Sequence, residues 1–114
     1  MVRNVVMVGA ALLVAWLALG RGGGDIDGTT ARSMVAAGAM LLDVRTAEEY
    51  GTGHIDGAVN VPVDQVPRRL DELGPRERAM VVYCRSGRRS ADAVAVLRRA
   101  GFANVHDLGG MGRW

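Results

Sequence analysis

Two apolar runs, Ala39-Met40-Leu41-Leu42-Asp43-Val44 and Ala79-Met80-Val81-Val82-Tyr83, constrain this chain more than any other feature. Neither alternates with polar residues and each is too short for a core helix, which is the pattern of a strand covered on both faces. Strands of that kind belong to parallel sheets, where each crossover is long and right-handed. The segments around them read as helices joined by short loops, so an α/β sandwich with a largely parallel sheet is expected. In such sheets the ligand site lies beyond the carboxyl ends of the strands. Asp43 stands at the end of the first run, and Cys84 follows the second.

The intervening chain fits that plan. Thr29 or Thr30 is expected to cap a short helix through Ala37, with Met34 and Val35 inward and Gly38 closing it. Thr46-Ala47-Glu48-Glu49 has capping-box spacing and predicts a second short helix that carries Tyr50 inward. Ala58-Val59-Asn60-Val61 reads as a strand closed by Pro62, and Val66, Leu70 and Leu73 recur at helical spacing across Asp64 to Leu73. From Arg89 or Ser90 a helix is expected, with Val94, Leu97 and the neighbouring Ala91, Ala93, Ala95 and Ala100 packed inward and Gly101 as its stop. Phe102 to His106 reads as a further strand, and Gly109-Gly110 as a turn toward Trp114.

Residues 1–20 differ in character. Val5 to Leu19 carries no charge and no period, just short of the ~17–25 residues that span a bilayer and at the upper edge of a signal-peptide apolar region. An uncleaved transmembrane anchor is favoured over a signal peptide cut near Ala18-Leu19-Gly20, because the run is long for a signal. Residues 21–24 then form a Gly-rich linker, and residues 25–114 the single working domain. Arg3 on one side against Arg21 and Arg32 on the other leans toward a cytoplasmic domain without deciding the side. The net charge is +2 with fourteen basic residues, all of them Arg, a balance that carries no nucleic-acid footprint.

The chemistry concentrates in Cys84-Arg85-Ser86-Gly87-Arg88-Arg89-Ser90. Cys84 is the only cysteine, which excludes an internal disulfide, and together with two histidines it is too few for a Cys/His structural zinc site. A strand-to-helix loop of small residues turns its N–H groups and the positive end of the helix toward one point. With Arg85, Arg88 and Arg89 nearby, that environment favours a thiolate at Cys84, and no histidine in the loop has to act as its base. Such a cradle serves phosphoryl transfer or sulfur transfer. A Cys-x5-Arg phosphatase loop would require Arg at position 90, where Ser90 stands; the last arginine is Arg89, one residue earlier. The shorter loop suits a single sulfur atom beyond Cys84.

Leu41-Leu42-Asp43-Val44-Arg45, Glu48-Glu49-Tyr50, Gly53-His54-Ile55-Asp56-Gly57-Ala58-Val59-Asn60-Val61-Pro62, the Cys84 to Ser90 loop, Gly101-Phe102-Ala103-Asn104-Val105 and Gly109-Gly110 with Trp114 resemble, in order and spacing, the successive motifs of a single-domain rhodanese. The likeness covers nearly all of residues 25–114. It implies a three-layer rhodanese-like sandwich with a five-stranded parallel sheet, and the apolar run read above as one N-terminal transmembrane helix precedes it. It further implies sulfurtransferase chemistry through a Cys84 persulfide cradled by the backbone N–H groups of Arg85, Ser86, Gly87, Arg88 and Arg89, with no cofactor and no metal.

The expected reaction moves sulfane sulfur from thiosulfate or another persulfide donor to cyanide or a thiol, in a protein held to the membrane through residues 5–19. The alternatives are a non-catalytic partner-binding module at the membrane and a phosphatase or arsenate reductase, the latter disfavoured by loop length. Asp43 is expected to accept hydrogen bonds from the active loop and hold its shape, with Arg45 as its partner. Arg89 is expected to face the site more than Arg85 or Arg88 does. His54 is read as structural, and His106 as a strand residue without a role.

Overall fold

The computed structural model describes residues 23–114. Val5 to Leu19, the expected membrane segment, lies outside them, and among the described residues no helix is long and apolar enough to cross a membrane. The elements are α1 (Gly28–Ala36), β1 (Met40–Asp43), α2 (Ala47–Thr52), β2 (Val59–Asn60), two 3-10 turns (Val63–Arg68 and Leu70–Leu73), β3 (Met80–Cys84), α3 (Arg88–Arg99), β4 (Val105–Gly110) and a last 3-10 turn (Met111–Arg113).

All strand pairs are parallel, in the order β2-β1-β3-β4. Both apolar runs fall on the two central strands, where every residue of β1 and β3 is buried. Successive side chains point to opposite faces, so each strand feeds two cores. Leu42, Val44, Val82 and Cys84 join Val66, Leu73, Ala93, Val94, Leu97, Phe102 and Val105 on the α3 side. Leu41, Val81, Tyr83 and Leu108 join Ala31, Ile55 and Ala58 on the other, with Met34, Val35, Tyr50 and Trp114 packed against them. Helices thus cover both faces, the three-layer arrangement expected.

The sheet has four strands among the described residues where five were expected. Beside β4, the place of a further strand holds a single antiparallel bridge, Gly23 to Gly109, and the Asp25 N–H donates to Asp107 O at 2.7 Å. Glycines have no side chain to pack against the sheet, so this segment covers the edge without building a ladder. At the opposite edge β2 is only two residues, although the Val61 N–H still donates to Asp43 O at 3.0 Å.

Local chemistry accounts for four further differences. Asp27, not Thr29 or Thr30, caps α1, its carboxylate accepting the Thr30 N–H at 2.8 Å. The helical spacing from Asp64 to Leu73 is realised as two 3-10 turns, because Pro67 lacks the N–H a continuing α-helix requires. On α3 the buried residues are Ser90, Ala93, Val94 and Leu97, while Ala91 and Ala95 face solvent. Finally, Gly109-Gly110 do not turn away. They extend β4 opposite Tyr83 and Cys84, past a bulge that leaves Leu108 unpaired.

Candidate active site

Burial of β3 along its whole length fixes where Cys84 emerges. Its side chain is only 1% exposed and stands at the carboxyl end of the strand, opposite Gly110. The chain then turns sharply into α3. Gly87, the residue before the helix, has φ +106°, a left-handed conformation that side chains with a Cβ resist. That turn points the Gly87 N–H back at the sulfur, 2.9 Å away. Three residues after Gly87, the fully buried Ser90 hydroxyl donates to Gly87 O at 3.0 Å, and the Ala91 N–H donates to the same oxygen at 3.2 Å. The loop also rests directly on β4: a Cβ at Gly110 would lie 2.9 Å from Arg85 O.

The arginines divide by partner. Arg89 reaches across to α2 and grips Glu49 with both ends of its guanidinium, Nη1 to Oε1 at 2.6 Å and Nη2 to Oε2 at 3.1 Å. Glu49 Oε1 also accepts the Thr46 N–H at 3.0 Å, while Thr46 Oγ1 accepts the Glu49 N–H at 3.1 Å, completing the expected capping box. Arg89, first, and the Thr46 bond, second, hold the Glu49 carboxyl down at about 2. The hydrogen bonds to Glu49 in turn raise Arg89 above its ordinary value. Arg85 and Arg88 are exposed and make no ion pair among the described residues. Ser86 is exposed as well.

Asp43 and Arg45 meet, but among the described residues no hydrogen bond joins Asp43 to the active loop, where one was expected. The fully buried Asp43 carboxylate accepts from the Arg45 backbone N–H at 2.9 Å, from Arg45 Nη2 at 2.7 Å and from the Tyr83 hydroxyl at 2.7 Å. Arg45 Nη2 continues to Gly53 O at 2.8 Å, and the Tyr83 oxygen accepts the Ile55 N–H at 3.1 Å. The reason is sheet geometry. Asp43 pairs in register with Tyr83, one residue short of Cys84, so its side chain lies on the face opposite the thiol and braces the Gly53-His54-Ile55 loop. Burial, then the bond to Asp43, push the Tyr83 hydroxyl well above its ordinary value, so it remains a donor at all ordinary pH.

His54 stacks on Tyr50 with ring centroids 3.7 Å apart, and its Nδ1 donates to Tyr50 O at 2.9 Å. His106 pairs with Asn104. Neither ring bonds to Cys84 or to the loop after it. No group of three or more metal-ligating side chains occurs among the described residues. Sequence reasoning missed Tyr83 and Ser90 as buried braces, Gly110 as the floor of the loop, and Glu49 as the partner of Arg89. For Glu49 there was half a signal, since the capping-box spacing placed it at the start of α2 but not across from a residue forty positions away.

The arrangement presents one sulfur to an inward-turned amide and the amino end of a twelve-residue helix, groups that attract an anion. The chain resembles known proteins over the residues that build it. A family model described as a rhodanese-like domain matches residues 28–114. A sulfurtransferase of Allochromatium vinosum is 36% identical over 91 residues, covering 79% of this chain and 84% of the relative. The thiosulfate sulfurtransferase PspE of Escherichia coli is 36% identical over 78 residues, 68% of this chain and 75% of the relative. Among solved structures, a human single-domain sulfurtransferase superposes with a TM-score of 0.73 at 29% identity, covering 78% of this chain and 92% of that one. The chain matched is thus nearly the whole described fold, Cys84 loop included, and the protein belongs to the rhodanese-like domain family.

Proposed function

We propose that this protein is a sulfurtransferase that carries sulfane sulfur on Cys84. The observation that carries the reading is the 2.9 Å bond from the Gly87 N–H to Cys84 Sγ in a loop one residue too short for a Cys-x5-Arg phosphate cradle. In the first half-reaction the Cys84 thiolate attacks the outer sulfur of thiosulfate. A Cys84–sulfur bond forms, the bond between that sulfur and the sulfonate breaks, and sulfite departs with the electron pair. In the second, a thiolate or cyanide attacks the outer sulfur of the Cys84 persulfide and Cys84 leaves as thiolate, giving an acceptor persulfide or thiocyanate. No net oxidant or reductant is consumed. The inward-turned Gly87 N–H and the amino end of α3 stabilise the anionic sulfur between the two steps.

Relatives named as sulfurtransferases support this reading. Incubation with thiosulfate followed by intact mass measurement is expected to add one sulfur that cyanide removes and that Cys84→Ser never acquires. Absence of the adduct in the wild type refutes the proposal.

The uncharged apolar run from Val5 to Leu19 supports a second element of the reading, a membrane attachment through residues 5–19. The full chain is then expected to float with lipid vesicles and to retain its N-terminus. A mature protein beginning near Arg21 and free of vesicles refutes it.

A further inference from the structure

Beneath the first turn of α3 lies a carboxyl that the sulfur chemistry does not use. Asp107, on β4, is 4% exposed. It pairs in register with Val82, and side chains opposed across a sheet share a face. Val82 and Cys84 both line the α3 core, so the Asp107 side chain points to the thiol's side of the sheet, the face opposite that of Asp43. There Oδ1 accepts the Gly109 N–H at 2.8 Å, and the carboxyl lies within bonding reach of the fully buried Ser90 hydroxyl.

Ser90 thus faces two acceptors with a single proton to donate. The other is Gly87 O, 3.0 Å away, on the residue whose N–H reaches Cys84 Sγ. A protonated Asp107 donates to Ser90 Oγ, Ser90 donates onward to Gly87 O, and every group in the row is satisfied. An ionised Asp107 has no proton to give and draws the Ser90 proton to itself, because a charged acceptor makes the stronger bond. Gly87 O then keeps only the Ala91 N–H at 3.2 Å, and the left-handed turn at Gly87 loses a brace. Burial pushes the Asp107 carboxyl above its ordinary value and the Asp25 charge adds to the rise, while Ser90, the Gly109 N–H and Arg98 pull it back. The charges around it are otherwise engaged. Asp25 accepts the Asp107 N–H at 3.2 Å, Arg98 bonds Asp25 and Val105 O, and Arg113 bonds Leu108 O and Ile26 O. Among the described residues no ion pair includes Asp107.

Resting on sulfur transfer at Cys84, we propose that Asp107 is a positioning residue for the Cys84 loop, acting through Ser90 on Gly87 O and holding the Gly87 turn in place while it carries a proton. That proton comes from solvent and returns to it, and neither Asp107 nor Ser90 touches the reacting sulfur. Sulfur loading is therefore best supported below the point at which Asp107 ionises.

The test times sulfur loading of the full chain from thiosulfate, by intact mass, from about pH 4.5 to 8. Wild type, Asp107→Asn and Ser90→Ala are compared as ratios of rate, so that the ionisation of Cys84 common to all three cancels. Asn offers an N–H in place of the acid O–H and a carbonyl for the Gly109 N–H, and so keeps the protonated arrangement at every pH. Asp107→Asn is expected to match wild type at the acid end and to load about fivefold faster at the alkaline end, the worth of one hydrogen bond. Ser90→Ala is expected to be about fivefold slower than wild type at the acid end and equal to it at the alkaline end. Added to Ser90→Ala, Asp107→Asn is expected to change nothing. Ratios that stay constant with pH mark a merely structural role and overturn the proposal. An acceleration by Asp107→Asn that persists without the Ser90 hydroxyl assigns the effect to charge through space and overturns it too. Should Asp107→Asn not fold, the Ser90→Ala ratio decides alone. A wild type that never loads sulfur overturns the sulfurtransferase reading and the proposal with it.

Discussion

Replacing Glu49 by Gln isolates one charge at the seam between α2 and the Cys84 loop. The amide oxygen of Gln retains an acceptor for the Thr46 N–H, so the capping box survives. What disappears is the charge opposite Arg89. Taken at face value, the fall of the Glu49 carboxyl from its ordinary 4.5 to about 2 corresponds to about 3 kcal/mol. Solvent screening reduces this, since the Glu49 and Arg89 side chains remain 26% and 32% exposed. About 1 kcal/mol, the upper end for exposed pairs, is the better figure given the two-pronged geometry. For a domain of this size that lowers Tm by about 4–8 °C. The sign with pH follows from a depressed folded-state value. The stabilisation is present above 4.5 and is lost as pH falls through about 2. Urea melts of wild type and Glu49→Gln are expected to differ at pH 7 and to converge progressively between pH 4.5 and 2. A gap that is absent at pH 7, or that stays constant down to pH 2, refutes the reasoning.

Two further outcomes follow from the braces around the site. Tyr83→Phe removes the hydroxyl that joins Asp43 to the Ile55 N–H and leaves both buried partners short of a bond, at a cost of about 1–3 kcal/mol; urea melts measure it, and hydrogen exchange is expected to accelerate at the Ile55 amide. Gly110→Ala drives a Cβ to within 2.9 Å of Arg85 O, so the loop must shift. Sulfur loading of Cys84 from thiosulfate is expected to slow by about ten- to a hundredfold while the melting midpoint changes far less, because a small misplacement of reacting groups costs rate before it costs stability.

The parts of the site that sequence reasoning found are those bound by local rules. Cys84 follows a buried strand, small residues follow Cys84, and Thr46 and Glu49 sit three apart at a helix start. Each of these depends on neighbours a few residues away. The parts it missed depend on register. Asp43 was assigned to the active loop, yet pairing with Tyr83 turns its carboxylate to the other face and gives it a tyrosine brace. Ala91 and Ala95 were placed inward and face water, because only packing against β3 and β4 selects which stripe of an alanine-rich helix is covered. Pro67 was the one visible warning that the Asp64 to Leu73 pattern would not close as an α-helix.

By itself, then, the amino-acid sequence determined the parallel α/β plan, the position of the reactive thiol at a strand end and the length of its loop, because strand burial, turn chemistry and loop count are properties of short stretches. Only the tertiary structure decided that Arg89 is paired with Glu49 while Arg85 and Arg88 make no ion pair among the described residues, and that Gly110 forms the floor beneath Arg85. It alone shows that the chain entering at Gly23 pairs with β4 at Gly109. Those relations join residues tens of positions apart, and they exist only once the strands have taken their order and register.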